Sequence, residues 1–478
     1  MEFTKNLARV SALALGIAGV LAYGDVHAAA FQLKENSAKG LGRAFAGSGS
    51  AEGDASVIAV NPAAMRQLDG RQVQADLSVI SFSADFDGEG RYLNGAGAPI
   101  SGGNGGDAGK VAPVPAAYFH LPFGENDNLH FGVSLTAPFG FATDYDRNWV
   151  GRYNALKTEL EAVDLGLALS YDVNPYVSFG ASVFVEHLKI ELGSAVDFGT
   201  VINVGAQQSA AAAVLAQGGT PAQAAAAAAQ AAQQAAALGF SPGSVDGFST
   251  IKGSNNEVGF TIGTLLSPSD NTHFGLSYRS KVEHKINDGE AIFDVPDNAA
   301  AFLAASRPGW FVDTDGRATV TLPATLTFSI THKVNDKWTV MADLTRTAWA
   351  SAFDSVVVDY ASNQADTVLD FGYDDSTFAS IGADYRLSDT LTLRGGLAYD
   401  ETPTSYAHRD LRVPDETRKW LSLGLTWTPS DKIEYNVGYT HLFVNDANVS
   451  TTSSTGNRVI GAFDVSGDIL AASVNYKF

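Results

Sequence analysis

The chain has no cysteine. That excludes disulfide staples, thiolate metal sites and a cysteine nucleophile. After the first two dozen residues no run approaches the roughly 20 apolar residues that a spanning helix needs. Cations are scarce: 31 Lys and Arg stand against 52 Asp and Glu, a net charge of -21. Nucleic acid would require a basic surface to neutralise its phosphates, so that partner class is excluded. Catalytic motifs are missing too. There is no Gly-x-Ser-x-Gly elbow and no His-Glu-x-x-His helix. The nine His are scattered, with His187 and His284 on strands and His408 in a loop. Gly102 to Lys110 looks like a phosphate loop, but Val111 stands where Ser or Thr would bind magnesium. Acidic loops such as Asp374-Asp375 lack EF-hand spacing. No cofactor, catalytic residue or metal ligand is expected, and a conduit fits better than an enzyme.

What is present is an alternating pattern. Leu470, Ala472, Val474, Tyr476 and Phe478 fall on one face of an extended strand, and Ala471, Ser473, Asn475 and Lys477 on the other. A strand that is apolar on one side and small or polar on the other suits a barrel wall in a bacterial outer membrane. Leu421, Leu423, Leu425 and Trp427 repeat the pattern, as do Val177, Phe179, Ala181, Val183 and Val185. Mean hydropathy near zero agrees. At the other end, Lys5 and Arg9 precede the apolar run 10–22 and the small-residue stretch Val26-His27-Ala28, which predicts a secretory signal peptide over 1–28.

Tight polar turns recur at 124–128, 172–175, 268–271, 334–337, 387–390 and 429–432, rich in the Asn, Asp, Ser and Pro that preset turn dihedrals. Long Gly- and Asp-rich insertions alternate with them. Short periplasmic turns and long outer loops are how membrane barrels are connected. On this frame about fourteen strands can be placed between 73 and 478. The expected fold is all-β, a transmembrane antiparallel barrel over 72–478. Tyr171, Tyr176, Trp338, Trp349, Tyr385, Trp420, Trp427 and Tyr435 are candidates for its aromatic girdles. The Gly-, Ala- and Ser-rich segment 29–71 is long enough to fold back into the lumen as a hatch. The Ala/Gln-rich segment 206–239 reads as one or two helices on an outer loop, broken near Gly218-Gly-Thr-Pro221.

Phe31-Gln-Leu, Gly40-Leu-Gly-Arg-Ala-Phe-Ala-Gly47 and Asn61-Pro-Ala63 resemble the FadL family of outer-membrane channels for long-chain fatty acids and other hydrophobic compounds. Matching blocks continue at Phe139-Gly-Phe-Ala-Thr143, Gly275 to Val282, Leu322-Pro323 and Val413-Pro-Asp-Glu-Thr-Arg-Lys-Trp-Leu-Ser-Leu-Gly424. The resemblance implies capture in an apolar groove among the outer loops, transfer to a lumen pocket and sideways exit through the barrel wall. It implies that Phe31 sits in the interior pocket. It also implies that Asn61, Pro62 and Ala63 face a kinked strand near Pro138, Phe139 and Gly140, forming hatch and lateral gate. Pro and Gly weaken a strand ladder, which suits an exit.

One departure bears on substrate. Leu192 stands where a fatty-acid member has Arg, and the strand around 353–358 offers no Lys for a second contact. Lys189 or His187 can replace them only by pointing inward. Neutral hydrocarbons thus join fatty acids as expected substrates, with Phe31, Leu192 and Lys189 as candidate binding residues. The expected partners are hydrophobic small molecules, outer-membrane lipid and lipopolysaccharide, and the barrel-assembly machinery during biogenesis, with the barrel itself a monomer. The alternative is a general diffusion porin for polar solutes, which would lack a hatch.

Overall fold

Fourteen antiparallel strands close into one barrel in a computed structural model that describes residues 31–478. The expected signal peptide lies outside the described residues. The strands are β1 (Gln72–Tyr92), β2 (Val111–Phe123), β3 (Leu129–Asp144), β4 (Lys157–Asn174), β5 (Val177–Asp197) and β6 (Asp246–Ser269). Next come β7 (Thr272–Arg279 with Val282–Asp294), β8 (Thr314–Leu322 with Thr325–Lys333), β9 (Trp338–Thr347 with Ser355–Tyr360) and β10 (Thr367–Asp370 with Ser376–Arg386). The ring ends with β11 (Leu391–Asp400), β12 (Arg418–Ser430), β13 (Ile433–Val444) and β14 (Asn457–Lys477). β1 pairs with β14 from Gln72↔Lys477 to Tyr92↔Asn457, so no edge remains where they meet.

The two-residue period sets which side meets lipid. Leu165, Leu167 and Leu169 of β4 are exposed on the outer face, while Ala168 and Ser170 are buried inside. The same alternation places Leu421, Leu423, Leu425 and Leu470 outside. Of the expected girdle residues, Trp338 lies tilted beside Tyr385 at 4.7 Å and Trp427 stacks near Tyr435 at 5.7 Å on the outer surface. Trp349 and Trp420 are corrections to that expectation. Both are buried in the lumen, Trp420 against Phe45 and Phe378 and Trp349 against Phe31.

The segment before β1 packs against the inner wall. Ser37 caps the short helix Ala38–Leu41 by accepting from the Gly40 N–H at 2.9 Å. The wall carries glycines where the hatch seats. A Cβ on Gly180 would come within 2.3 Å of the Ala63 nitrogen, and one on Gly263 within 1.9 Å of the Asn61 side chain. Polar ties hold the rest. Lys39 Nζ meets Glu434 of β13 at 2.5 Å, and the Gly47 N–H donates to Asp343 of β9 at 2.7 Å. The Ala/Gln-rich loop forms helices Phe198–Ala216 and Pro221–Ala237. Thr220 and Gln223 close a reciprocal capping box at the start of the second.

Candidate functional site

Two defects in the wall shape the lumen. The first is in β3. Its register against β4 shifts between Thr136 and Phe139, around Pro138. Its ladder with β2 runs from Phe123↔Leu129 to Ala117↔Leu135 and goes no further. Pro113 and Pro115 of β2 still pair with Val79 and Leu77 of β1. A proline inside that ladder must turn its nitrogen away from β1, so the two missing N–H groups fall on the side facing β3. The freed edge of β3 is taken up by the hatch. The Leu33 N–H donates to Pro138 O at 2.8 Å, and the Gly140 N–H donates to Phe31 O at 2.8 Å. Three hatch residues thus stand in for a missing stretch of wall.

The second defect lies between β8 and β9. Their pairing stops at Ala318↔Val358 and resumes at Thr325↔Thr347. Over this interval Trp349–Ser351 forms a single 3-10 turn, and Trp349 and Phe353 are buried inside. Both rings meet Phe31, at 4.9 Å and 4.8 Å between centroids. Phe139, Phe371 and Tyr373 complete the aromatic cluster, with Leu160, Leu188 and Val413 around it. Phe31 meets Trp349 and Phe353 edge-on, a favoured geometry for aromatic pairs.

Cavities lie on either side of this cluster. On the periplasmic side a small cavity of about 120 Å³ is lined by Leu33, Lys34, Phe45, Pro138, Arg279 and Phe378, directly behind the β2–β3 opening. The Arg279 guanidinium is engaged there, by Asp164 at 2.6 Å and Glu186 at 2.7 Å. Lys34 Nζ lies 4.2 Å over the Phe378 ring. Burial lowers the Lys34 ammonium below its ordinary pKa, opposed by Asp400, Asp343 and Glu35. On the outer side a cavity of about 660 Å³ opens among the loops, lined by Leu192, Ile251, Arg307, Trp310, Leu369 and Arg412 among others. That size is ordinary for a pocket holding a small organic molecule.

Phe31 and Gly140 lie at the β3 break, and Leu192 lines the outer cavity. Two expectations need correction. Lys189 points away from the lumen. It is half-exposed on the outer face of β5 and binds Glu159 of β4 at 2.5 Å. His187 also faces outward, bonded to Asn256. Asn61, Pro62 and Ala63 do not face Pro138. Asn61 Nδ2 donates to Gly49 O at 2.8 Å and to Thr264 O of β6 at 3.2 Å, and Pro62 and Ala63 seat on Gly180 of β5. The glycines of β5, β6 and β7 make the slot that receives them. As lining of the apolar pocket, Trp349 and Phe353 were missed. Pro113 and Pro115 were a visible signal for the opening, since two prolines on one face of a strand forbid a full ladder.

The comparisons with known proteins agree with this architecture. Residues 19–478 match the family model described as outer membrane protein transport protein (OMPP1/FadL/TodX). The long-chain fatty acid transport protein of Escherichia coli K12 is 28% identical over 92% of both chains. Outer membrane protein P1 of Haemophilus influenzae is 27% identical over 97% of this chain and 98% of its own. Among solved structures, a Pseudomonas aeruginosa FadL homologue superposes with a TM-score of 0.81 at 24% identity, covering 94% of this chain and 100% of that one. The Pseudomonas putida toluene transporter TodX gives 0.61 at 19% identity, covering 94% and 100%. With the family model matched from residue 19 to the last residue, the chain belongs to the OMPP1/FadL/TodX family of outer-membrane transport proteins.

Proposed function

We propose that the protein is a passive conduit that takes hydrophobic molecules from the outer loops into the barrel and releases them sideways into the membrane through the β2–β3 opening. The observation that carries this reading is the hatch strand at 31–33, hydrogen-bonded into the break of β3. A wall segment made of hatch can leave by breaking two backbone bonds. A closed ladder would have to break many. The route is apolar where it narrows, at Phe31, Trp349 and Phe353. A greasy molecule gains on the order of 25 cal/mol for each Å² of its surface removed from water, and a sideways exit spares it a wet periplasmic mouth. The hatch also disfavours a general porin, because it fills the lumen that a polar solute would use.

The test is uptake by cells that lack their own hydrophobic-compound channel. Cells carrying this protein should take up a labelled long-chain fatty acid or alkylbenzene faster than empty-vector cells, with sugar permeability unchanged. Faster sugar entry without hydrophobic uptake would return the porin reading.

A further inference from the structure

A third interruption of the wall lies between β6 and β7. Their pairing runs from Phe248↔Asp294 to Lys252↔Glu290, stops, and resumes at Thr261↔Arg279. Across the interval, residues 253–260 of β6 face the longer stretch 280–289 of β7, so the two chains fall out of step. On their other sides both strands are held. β6 pairs with β5 without a shift from Asp197↔Asp246 to Val177↔Leu266, and β7 continues its pairing with β8 above Val282↔Leu322.

Side chains close the seam where the ladder is missing. Asn255 Nδ2 donates to Lys285 O at 3.1 Å, and Asn255 Oδ1 meets His284 Nδ1 at 3.1 Å. His284 is buried, and its other ring nitrogen meets Glu186 of β5 at 3.1 Å. Val282 and Ile286 fill the space that two glycines leave. A Cβ on Gly259 would lie 2.9 Å from Val282, and one on Gly253 2.6 Å from Ile286. At the lower end the backbone takes part, where the Ser280 N–H donates to Phe260 O at 2.9 Å.

The seam separates two apolar regions. Inside, Ile286 belongs to the cluster around Phe31. Outside, Val258, Phe260 and Tyr278 are exposed at its lower end, and Asn256, Lys281, Glu283 and Lys285 are exposed above them. That change marks the level where lipid chains give way to head groups. Just inside, the carboxylates of Asp164 and Glu186 share the Arg279 guanidinium, which disfavours an anionic head.

Resting on the conduit reading above, we propose that the β6–β7 seam is a second way in: an uncharged apolar molecule dissolved in the outer leaflet enters between the strands and reaches the cluster around Phe31 without crossing the outer cavity. An antiparallel ladder would hold this stretch by a row of backbone bonds. The seam holds it by one asparagine amide and two apolar side chains. Those side chains part at little cost for an apolar molecule, because the surface they uncover is covered again by the molecule itself.

The experiment measures uptake of a labelled alkylbenzene by cells that lack their own channel and carry the full-length barrel. Asn255→Ala should speed uptake about fivefold, the population shift that about one net hydrogen bond gives. Ser254→Cys with Lys285→Cys places two exposed thiols across the seam. Joining them with a short bis-maleimide should remove at least about half of the uptake, since a gate that cannot open carries no flux. The same tether across the intact β4–β5 ladder, at Glu161↔Lys189, should leave uptake unchanged. An unchanged or slower rate in a folded Asn255→Ala barrel overturns the proposal. So does a tethered seam that transports as fast as the untethered double variant, or a control tether that slows uptake equally; each leaves the conduit reading standing. A folded wild type with no uptake above empty-vector cells overturns both.

Discussion

Gln32 of the hatch lies directly opposite Phe139 of β3, between the two backbone bonds that tie residues 31 and 33 to the break in the wall. Such a position is a non-hydrogen-bonded pair, with Cα atoms about 4.5 Å apart, within reach of a disulfide. The chain has no cysteine of its own, so a cysteine placed at both positions can form only the intended bridge. The oxidised double variant should assemble as a barrel and lose hydrophobic uptake by at least about tenfold. Reductant should restore it. An oxidised protein that transports as fast as the reduced one would remove the opening from the route.

The hatch is anchored elsewhere by Lys39, which bridges Glu434 at 2.5 Å and Gly53 O at 2.8 Å. Removing one partner of a buried pair leaves a charge unmatched, which costs about 3 kcal/mol or more in a closed site and less where water reaches. Glu434 keeps some access to water, so the effect of Lys39→Ala should fall below that figure. The barrel should remain folded while the hatch loosens, raising ion conductance across a planar bilayer. Adding Glu434→Gln should bring conductance back toward wild type. Equal conductance in all three proteins would show that this pair does not hold the hatch.

Glu35 supplies a pH dependence. Burial pushes its carboxyl from the usual 4.5 up to about 7, against bonds from backbone N–H groups including that of Lys34. A carboxyl raised on folding favours the folded hatch while protonated. That contribution is complete below about 4.5 and is lost as pH rises through about 7. Amides of residues 36–46, corrected for intrinsic rate, should exchange more slowly at pH 5 than at pH 8. Glu35→Gln should reduce the difference. A variant that keeps the full pH dependence would move its origin to another group.

Most of the wall was legible, because lipid outside and packed lumen inside impose a period of two on every strand. The alternation of Leu421, Leu423 and Leu425 with Ser422 and Gly424 is that period. The same rule shows why Lys189 could not serve the pocket. It is three residues from Leu192, and an odd separation puts two side chains on opposite faces of a regular strand. Asn61 was misplaced for a different reason. Its seat is a slot left by Gly263 and Gly275, far along the chain, and a missing side chain leaves no periodic trace. The inward turn at Trp349 defeated the girdle expectation, because the ladder of β9 stops at Thr347 and the alternation stops with it.

The prolines around the β2–β3 opening offer a test in which stability and activity move in opposite directions. Pro113 and Pro115 remove two donors from the β2 edge, and Pro138 sits at the register shift of β3. Replacing all three with Ala restores the donors and lets the ladder extend beyond Ala117↔Leu135. Each new backbone bond contributes about 0.5–1.5 kcal/mol, partly offset by the unfolded-state freedom that proline had removed. The variant should unfold at a higher temperature than wild type. It should also compete with Phe31 and Leu33 for the β3 edge, shut the opening and slow hydrophobic uptake. Heat-modifiability on gels gives the first readout and tracer uptake the second. A triple variant that is more stable and transports at the wild-type rate would place the exit elsewhere in the barrel.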